Sequence, residues 1–589
     1  MESDMKQFSG SLLAALLFSV TGCQTQGNPA SGKLHTLFQE DWEYQMKARP
    51  IYAMYVGDNR YNDRLPDLSP EALLENQKMD SLILKKLTEI DRSGLSKTDQ
   101  VNYDLFKLRK EMASAEFRFK TYLMPVTSRS GFHTSFPQLP DDTPLRTSAD
   151  YENYVSRLQA FGKYVDDHIA LMRKGITEGY IVPEIVLKGI DKVIQSQLVD
   201  TPEKSLLYSP ADKFPENFSQ PERDRLSNRI KEAIQKEVIP GYQRLLAFMN
   251  VEYIPASRKT IAAGDLPNGK DFYRHRIRYY TSLDLSPEEV HETGLKEVQR
   301  IRTEMQKVIE ATGFKGGFDD FVRFLRTDKQ FYVDEPEQLM KEVALVLKKM
   351  DGQLPTLFKT LPRMPYGIKK VPDFIAPRTT TAYYERPSGD GRRAGYYYVN
   401  VYDLKSRPLY EIEALSLHEA VPGHHLQIAR QQELDDLPSF RRFGGSTAFV
   451  EGWALYAERL GLETGFYQDP YSNFGRLTYE MWRACRLVVD TGIHSMGWSR
   501  QQAIDFMAEN SALTIHNINT EVDRYISWPG QALAYKTGEL KIRELRRMAE
   551  EALGNRFDVR IFHDIVLENG AVPLKVLENY VLAWIAEQS

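Results

Sequence analysis

Two cysteines, Cys23 and Cys485, are the only thiols in 589 residues, so no disulfide framework holds this chain together and its stability rests on packing. Positive charge is not in surplus: 76 Lys and Arg stand against 81 Asp and Glu, a formal net charge of -5. No stripe of Lys and Arg interleaved with aromatics reverses that balance, which argues against nucleic acid as a partner. No apolar run approaches the ~20 residues that a membrane-spanning helix needs. Internal repeats and low-complexity tracts do not stand out either. The H-E-x-x-H string of the familiar zinc-peptidase helix is also missing. His291-Glu292 begins like one, but Leu295 occupies the fourth position and no other histidine is near, so the pair reads as exposed helical surface.

What is present is the composition of a soluble globular protein, 42% hydrophobic and 27% charged, long enough to bury a large core in one domain or two lobes. Its first residues are the exception. SLLAALLFSV, residues 11–20, is about half a membrane span long, follows Lys6 and precedes Thr21-Gly22-Cys23. Residues 1–22 therefore read as a signal peptide, with Met5 an alternative start. The ending S-V-T-G-C resembles a bacterial lipobox, which implies cleavage before Cys23 and a lipid on its thiol. Gln24 after the cysteine, by the same resemblance, implies an exported lipoprotein on the outer membrane facing the periplasm. Residues 23–35 then serve as a polar tether. Cys485, in MWRACRLVVDTGIH, is expected in the core.

Helical periodicity dominates the rest, and a mainly α fold is expected. Ser286-Pro287-Glu288-Glu289 combines an N-cap serine, a proline at the first helical position and a capping-box glutamate ahead of a helix to about residue 312. A Pro/Gly-bearing stretch near 254–270 separates an N-terminal helical lobe, 36–260, from a second lobe, 261–589. One segment breaks the helical rule. Thr379–Glu385 and Tyr396–Tyr402 are rich in β-branched and aromatic residues and are joined by RPSGDGRRAG, which predicts a small hairpin. It ends shortly before the histidine cluster and offers an edge to an extended peptide.

That cluster is SLHEAVPGHHLQ, residues 416–427. Pro422 stands where a second helical histidine would be expected after His418. On an unbroken helix His424 would point about 120° away from His418, and His425 would return to the same face about 10.5 Å along the axis. Neither could share an ion at 2.0–2.1 Å. A break at Pro422-Gly423 folds the extra residues out and brings a histidine back toward His418. With a glutamate as third ligand this makes a two-histidine, one-glutamate site for one zinc ion. Glu451 in FVEGWALYAERL is the candidate, because a carboxylate on an apolar helix needs a reason to be buried there. Glu458, two turns on, is the runner-up ligand or a partner that orients a histidine.

HEAVPGHHLQ, EGWALYAERL, ACRLVVDTGIHSMGW and RYISWPGQALAYKTGEL together resemble a bacterial domain-of-unknown-function family, often lipoproteins, which is similar to helical gluzincin metallopeptidases. The resemblance covers most of the chain after residue 35. It implies a multi-helix peptidase with a deep cleft, zinc held by His418, His424 and Glu451, and Glu419 as general base, leaving His425 as the alternative to His424. In the matching strings His494, Tyr525 and Tyr535 are the polar groups for a developing oxyanion. Arg524 could clamp a substrate carboxylate and Lys536 could assist. Peptide hydrolysis is the expected activity. A catalytically silent peptide-binding lipoprotein is the alternative, although it would have no need of Glu419, and a zinc hydrolase of another amide or an ester is a third reading.

Overall fold

A computed structural model describes residues 29–588 apart from position 374. The signal peptide and Cys23 lie outside the described residues. The first helix, α1 (Pro29–Ala48), begins inside the stretch expected to be tether. It is followed by α2 (Pro70–Thr88), α3 (Lys97–Arg118) and the 31-residue α4 (Ser148–Glu178). Beyond the helical stretch Gln220–Phe248 lie α5 (Gly269–Thr281) and α6 (Pro287–Thr312). The capping box at the start of α6 forms as the sequence implies: Ser286 Oγ accepts from the Glu289 amide at 3.2 Å, and Glu289 Oε2 accepts from the Ser286 amide at 2.8 Å.

The only sheet among the described residues has three strands, β1 (Tyr366–Lys370), β2 (Ala382–Glu385) and β3 (Gly395–Val399), in the order β1-β3-β2. β2 and β3 are the expected antiparallel hairpin, shorter than the sequence suggests, with Tyr384 opposite Tyr397. β1 pairs parallel to β3, Ile368 opposite Tyr397, so β3 is central and the free edges belong to β1 and β2.

After the sheet come α7 (Ile412–Glu419), α8 (His424–Gln432), α9 (Thr447–Leu460) and the 26-residue α10 (Pro470–Ser495). α11 (Ile515–Ser527), α12 (Ala534–Leu553) and α13 (Leu574–Gln588) complete the chain. α10 is buried on all sides from Phe474 to His494, as a helix at the centre of a large core must be. Because no face meets water, its charged residues Arg476, Glu480, Arg483, Arg486, Asp490 and His494 must find partners inside the protein. They set up much of what surrounds the candidate site.

The largest apolar cluster runs from Met54 to Trp584 and takes residues from both sides of position 260, so the two expected lobes share one core. Cys485 is a free, fully buried thiol within it, its pKa pushed up to about 12 by burial. His291 is not the exposed residue that the sequence suggests. Its Nδ1 lies 2.9 Å from Thr491 Oγ1 and its ring packs edge-on against Trp498, while Glu292 does face solvent and pairs with Lys296 at 2.9 Å. No helix among the described residues is long and apolar enough to cross a membrane.

Candidate metal centre

α7 stops at Glu419 and α8 starts at His424; between them the chain turns at Ala420–Gly423. Pro422 cannot supply the amide hydrogen that would continue α7. Gly423 approaches the end of α7 so closely that a Cβ built on it would lie 1.9 Å from the His418 carbonyl oxygen and 2.5 Å from that of Leu417, contacts only a hydrogen can occupy. Trp453, on α9, donates from Nε1 to the Pro422 carbonyl at 2.9 Å and pins the turn to the helix that carries Glu451.

The turn returns His424 to His418. Their rings stand nearly perpendicular with centroids 4.8 Å apart. Glu451 Oε2 lies 3.4 Å from His424 Nε2 and 3.8 Å from His418 Nε2. One ligand atom from each of the three fits within 4.8 Å of the others. Tetrahedral zinc with bonds of 2.0–2.1 Å needs neighbouring ligand atoms about 3.3 Å apart, so the cluster is close to ligand geometry. Glu451 Oε2 is buried and has no hydrogen-bond partner, an orphaned oxygen facing two ring nitrogens.

The surroundings fix the orientation of the His418 ring. Its Nδ1 lies 2.8 Å from Glu458 Oε1. A carboxylate can only accept there, so Nδ1 carries a hydrogen and Nε2, on the side that faces Glu451, is the nitrogen left to give up its proton to a metal. Glu458 is itself held by Arg483 of α10, Nη2 at 3.4 Å, with both side chains almost wholly buried. Glu458 thus takes the orienting role that the sequence left as an alternative. Without an ion, burial disfavours the His418 imidazolium, but the neighbouring Glu451 and Glu458 carboxylates outweigh it and raise the pKa to about 9. Glu451 moves the opposite way: burial would raise its pKa, but the two histidines hold it far below the usual carboxylate range.

His425 is fully engaged elsewhere. Nε2 donates to the Met364 carbonyl at 2.9 Å, and Nδ1 accepts from Tyr384 Oη, on β2, at 2.9 Å. Burial lowers its pKa to about 4, consistent with a neutral ring. Glu419 is buried beside the triad and has no hydrogen-bond partner among the described residues. Burial raises its pKa, with the charges of His418, His424 and Glu451 also felt at its carboxylate.

Of the remaining predicted site residues, only Tyr535 faces the cluster directly, its ring near-parallel to that of His418 with centroids 6.3 Å apart. Close packing of α9 on α12 places it there: a Cβ on Gly538 would meet the Ala448 carbonyl oxygen at 1.9 Å, and one on Gly452 would meet Gly538 Cα at 2.5 Å. Arg524 is bound through Nε and Nη2 to Glu521, at 2.8 to 3.1 Å, and through Nη1 to Gln531. Tyr525 is fully buried, its hydroxyl accepting from Trp482 Nε1 at 2.9 Å and from Arg486 Nε at 3.0 Å.

Two expected roles need correction. His494 accepts from the Ala263 amide at Nδ1, 2.9 Å, and donates from Nε2 to the Tyr525 carbonyl, 3.0 Å, which leaves no ring nitrogen for an oxyanion. Lys536 is fully buried among Glu297, Glu480 and Glu539 at 2.8 to 3.0 Å, so its charge is used inside the fold and not on a substrate. Sequence reasoning missed Arg483, Arg486, Tyr384 and Trp453. The two arginines had a readable signal, since charges inside the apolar string MWRACRLVVD require buried partners.

Comparison with known proteins gives three findings. The sequence model of a family described as "Bacterial protein of unknown function (DUF885)" matches residues 50–581. No curated protein matches the chain. The fold is similar to two solved structures: a "putative lipoprotein" from Colwellia psychrerythraea, 28% identical, with a TM-score of 0.89 over 95% of this chain and 99% of that one, and a "putative lipoprotein of unknown function" from Shewanella oneidensis, 18% identical, with a TM-score of 0.69 over 93% and 99%. The second shows the fold alone.

Proposed function

This chain belongs to that bacterial family of unknown function, and we propose that it is a zinc-dependent hydrolase of peptide bonds, with His418, His424 and Glu451 as the metal ligands. The observation that carries the reading is the orphaned, buried Glu451 oxygen facing two imidazole nitrogens, one of which has its tautomer set by Glu458. Two nitrogens and one carboxylate oxygen are the donor set of catalytic zinc sites that keep a coordination position open. A zinc ion held there supplies Lewis-acid activation of a water and of a substrate carbonyl.

The protein's own groups perform the proton chemistry. Glu419 is the base: its carboxylate is free of partners, and burial raises its pKa above the ordinary carboxylate value, which favours its taking up a proton. It then returns that proton to the leaving amine. Tyr535, half-buried beside His418, is placed to donate from its hydroxyl to charge that develops on the substrate oxygen. Glu458 and Arg483 hold His418 in orientation and do not touch substrate. The β2 edge, tied to α8 by Tyr384 and His425, lies where an extended peptide could add to the sheet.

We further infer an exported lipoprotein anchored through Cys23, on the strength of the lipobox-like sequence and the likeness to the Colwellia putative lipoprotein. The reading is tested by metal analysis of the purified protein and by cleavage of a mixed peptide library before and after chelation. Close to one zinc per chain is expected, with cleavage lost on chelation and restored by zinc. A protein that binds no zinc, and that cleaves no peptide with or without it, refutes the proposal.

A further inference from the structure

Away from the triad, a cavity of about 680 Å³ opens between α1, α2 and α3 on one side and α5, the 440–447 segment and residues 569–573 on the other. Its size falls in the range of pockets that enclose small ligands, about 300–1,000 Å³. None of the three candidate ligands lines it, but Thr447 does, and Thr447 lies four residues before Glu451 on α9. Residues four apart share one helix face about 6 Å apart along the axis, so the cavity wall includes a residue one helical turn from Glu451.

The charge on that wall is one-sided. Arg49, Arg109, Arg278 and Arg441 line the cavity, and no carboxylate among the described residues pairs with any of them. Arg49 and Arg278 are exposed, and neither guanidinium makes a hydrogen bond or ion pair among the described residues. Arg109 donates only to the Phe440 carbonyl, at 3.2 Å. Arg441 is 6% exposed and donates to the Asn102 side chain at 2.6 Å and the Asn569 carbonyl at 2.7 Å, neutral partners for a buried cation. The two lining carboxylates are already taken, Asp80 by Lys110 at 2.7 Å and Glu116 by Arg276 and His275 at 2.7 Å each. In a chain of net charge -5 such a concentration of unmatched arginine is a local inversion of the overall field. The wall also carries apolar side chains, Leu105, Leu108, Met112, Phe117 and Tyr279, among its polar ones.

From the unmatched arginines and the continuity with α9 we propose that this cavity holds the acidic, carboxylate-bearing segment of an extended peptide whose scissile bond lies at the His418/His424/Glu451 centre. The proposal rests on the peptidase reading and assigns it a substrate class, peptides rich in Asp and Glu. Each guanidinium offers a planar fork matched to a carboxylate, and the apolar groups of the wall take the intervening side chains.

The test uses the zinc-supplemented mature chain with Glu419→Gln, so that binding is read without turnover. The probes are three fluorescein-labelled octapeptides that differ only in carrying three glutamates, three glutamines or three lysines. The glutamate peptide should bind at least tenfold more tightly than the lysine peptide at low salt, and the gap should close as salt rises. Adding Arg49→Glu and Arg278→Glu together, two exposed positions whose change leaves the fold intact, should weaken the glutamate peptide tenfold or more and favour the lysine peptide. Equal binding of the three peptides, or a double variant that behaves like its parent, overturns the cavity assignment. Peptide cleavage by the chain with Glu419 intact is measured separately. Cleavage without acidic preference removes this inference and leaves the peptidase reading standing, whereas arginine-dependent acidic binding without cleavage removes the peptidase reading and leaves only the cavity as a site for acidic peptides.

Discussion

Gly423→Ala places one methyl group where the structure has no room for it. The added Cβ would lie 1.9 Å from the His418 carbonyl oxygen, and real Cβ contacts essentially never fall below 3.0 Å, so the two segments must separate by about 1 Å. Both obstructing groups are backbone, at the end of the helix that carries His418, and cannot swing aside as a flexible side chain would. Metal sites tolerate ligand displacements of only about 0.2 Å, so a shift several times larger should abolish chelation even if the chain still folds. Overpacking typically costs 1–3 kcal/mol, occasionally more, so a stable but metal-free protein is the expected product. Zinc content measured by mass spectrometry should fall from near one per chain to near zero, and peptide cleavage should fall with it. Gly352→Ala is the control, because its new Cβ would meet nothing nearer than 3.5 Å and its φ of -69° suits any residue. If Gly423→Ala keeps its zinc and its activity, the close approach of the two helix ends is not what assembles the site, and the argument for the turn fails.

The other predictions test separate groups. Alanine at His418, His424 or Glu451 should remove metal and activity together, whereas Glu419→Ala should keep the metal and lose turnover. His425→Ala should leave most of the zinc bound; an emptied site with His424→Ala still loaded would identify the wrong histidine. Glu458→Gln keeps a group beside His418 Nδ1 but removes its charge, and zinc affinity in a chelator competition should fall about 10–100-fold. Asp490 has its pKa raised from 3.8 to about 7 by burial, against hydrogen bonds from Tyr273 and the Gly530 amide, a difference equivalent to roughly 4 kcal/mol. Its folded state binds the proton more tightly than the unfolded one, so that contribution is complete below about pH 4 and is lost as pH rises through 7. Asp490→Asn should flatten this part of the denaturation profile between pH 4 and 8, and an unchanged slope would contradict the assignment. Mass spectrometry of the membrane fraction should find Cys23 as a lipid-bearing N-terminus, and an unmodified chain that starts elsewhere would remove the anchor.

Much of the helical fold was readable because long periodic stretches with caps need no distant partner to declare themselves; Ser286 to Thr312 is the clearest case. α5 and α11 have weaker helical signals, since GKDFYRHRIRYYT and IHNINTEVDRYIS are rich in polar and β-branched or aromatic residues, and packing against neighbours supports helix there. β1 was invisible for a related reason. YGIKK is five residues long and becomes a strand by pairing with β3, whose first residue is 25 positions beyond its own last. The buried stripe of α10 was present in the sequence as charges in an apolar helix, but their partners lie on other elements.

The sequence by itself determined the residue types of the candidate centre and the need for a break: 3.6 residues per turn forbids His418 and either later histidine from meeting on a straight helix, and Pro422-Gly423 is where a helix can be interrupted. Tertiary structure alone decided which histidine comes back. Tyr384 on β2 and the Met364 carbonyl capture His425, while Trp453 pins the turn so that His424 faces Glu451. It also withdrew His494 and Lys536 from the site by surrounding them with internal partners. A hydrogen bond between residues tens or hundreds of positions apart leaves no periodic trace in either segment, so only the folded chain could choose among residues whose chemistry was equally suitable.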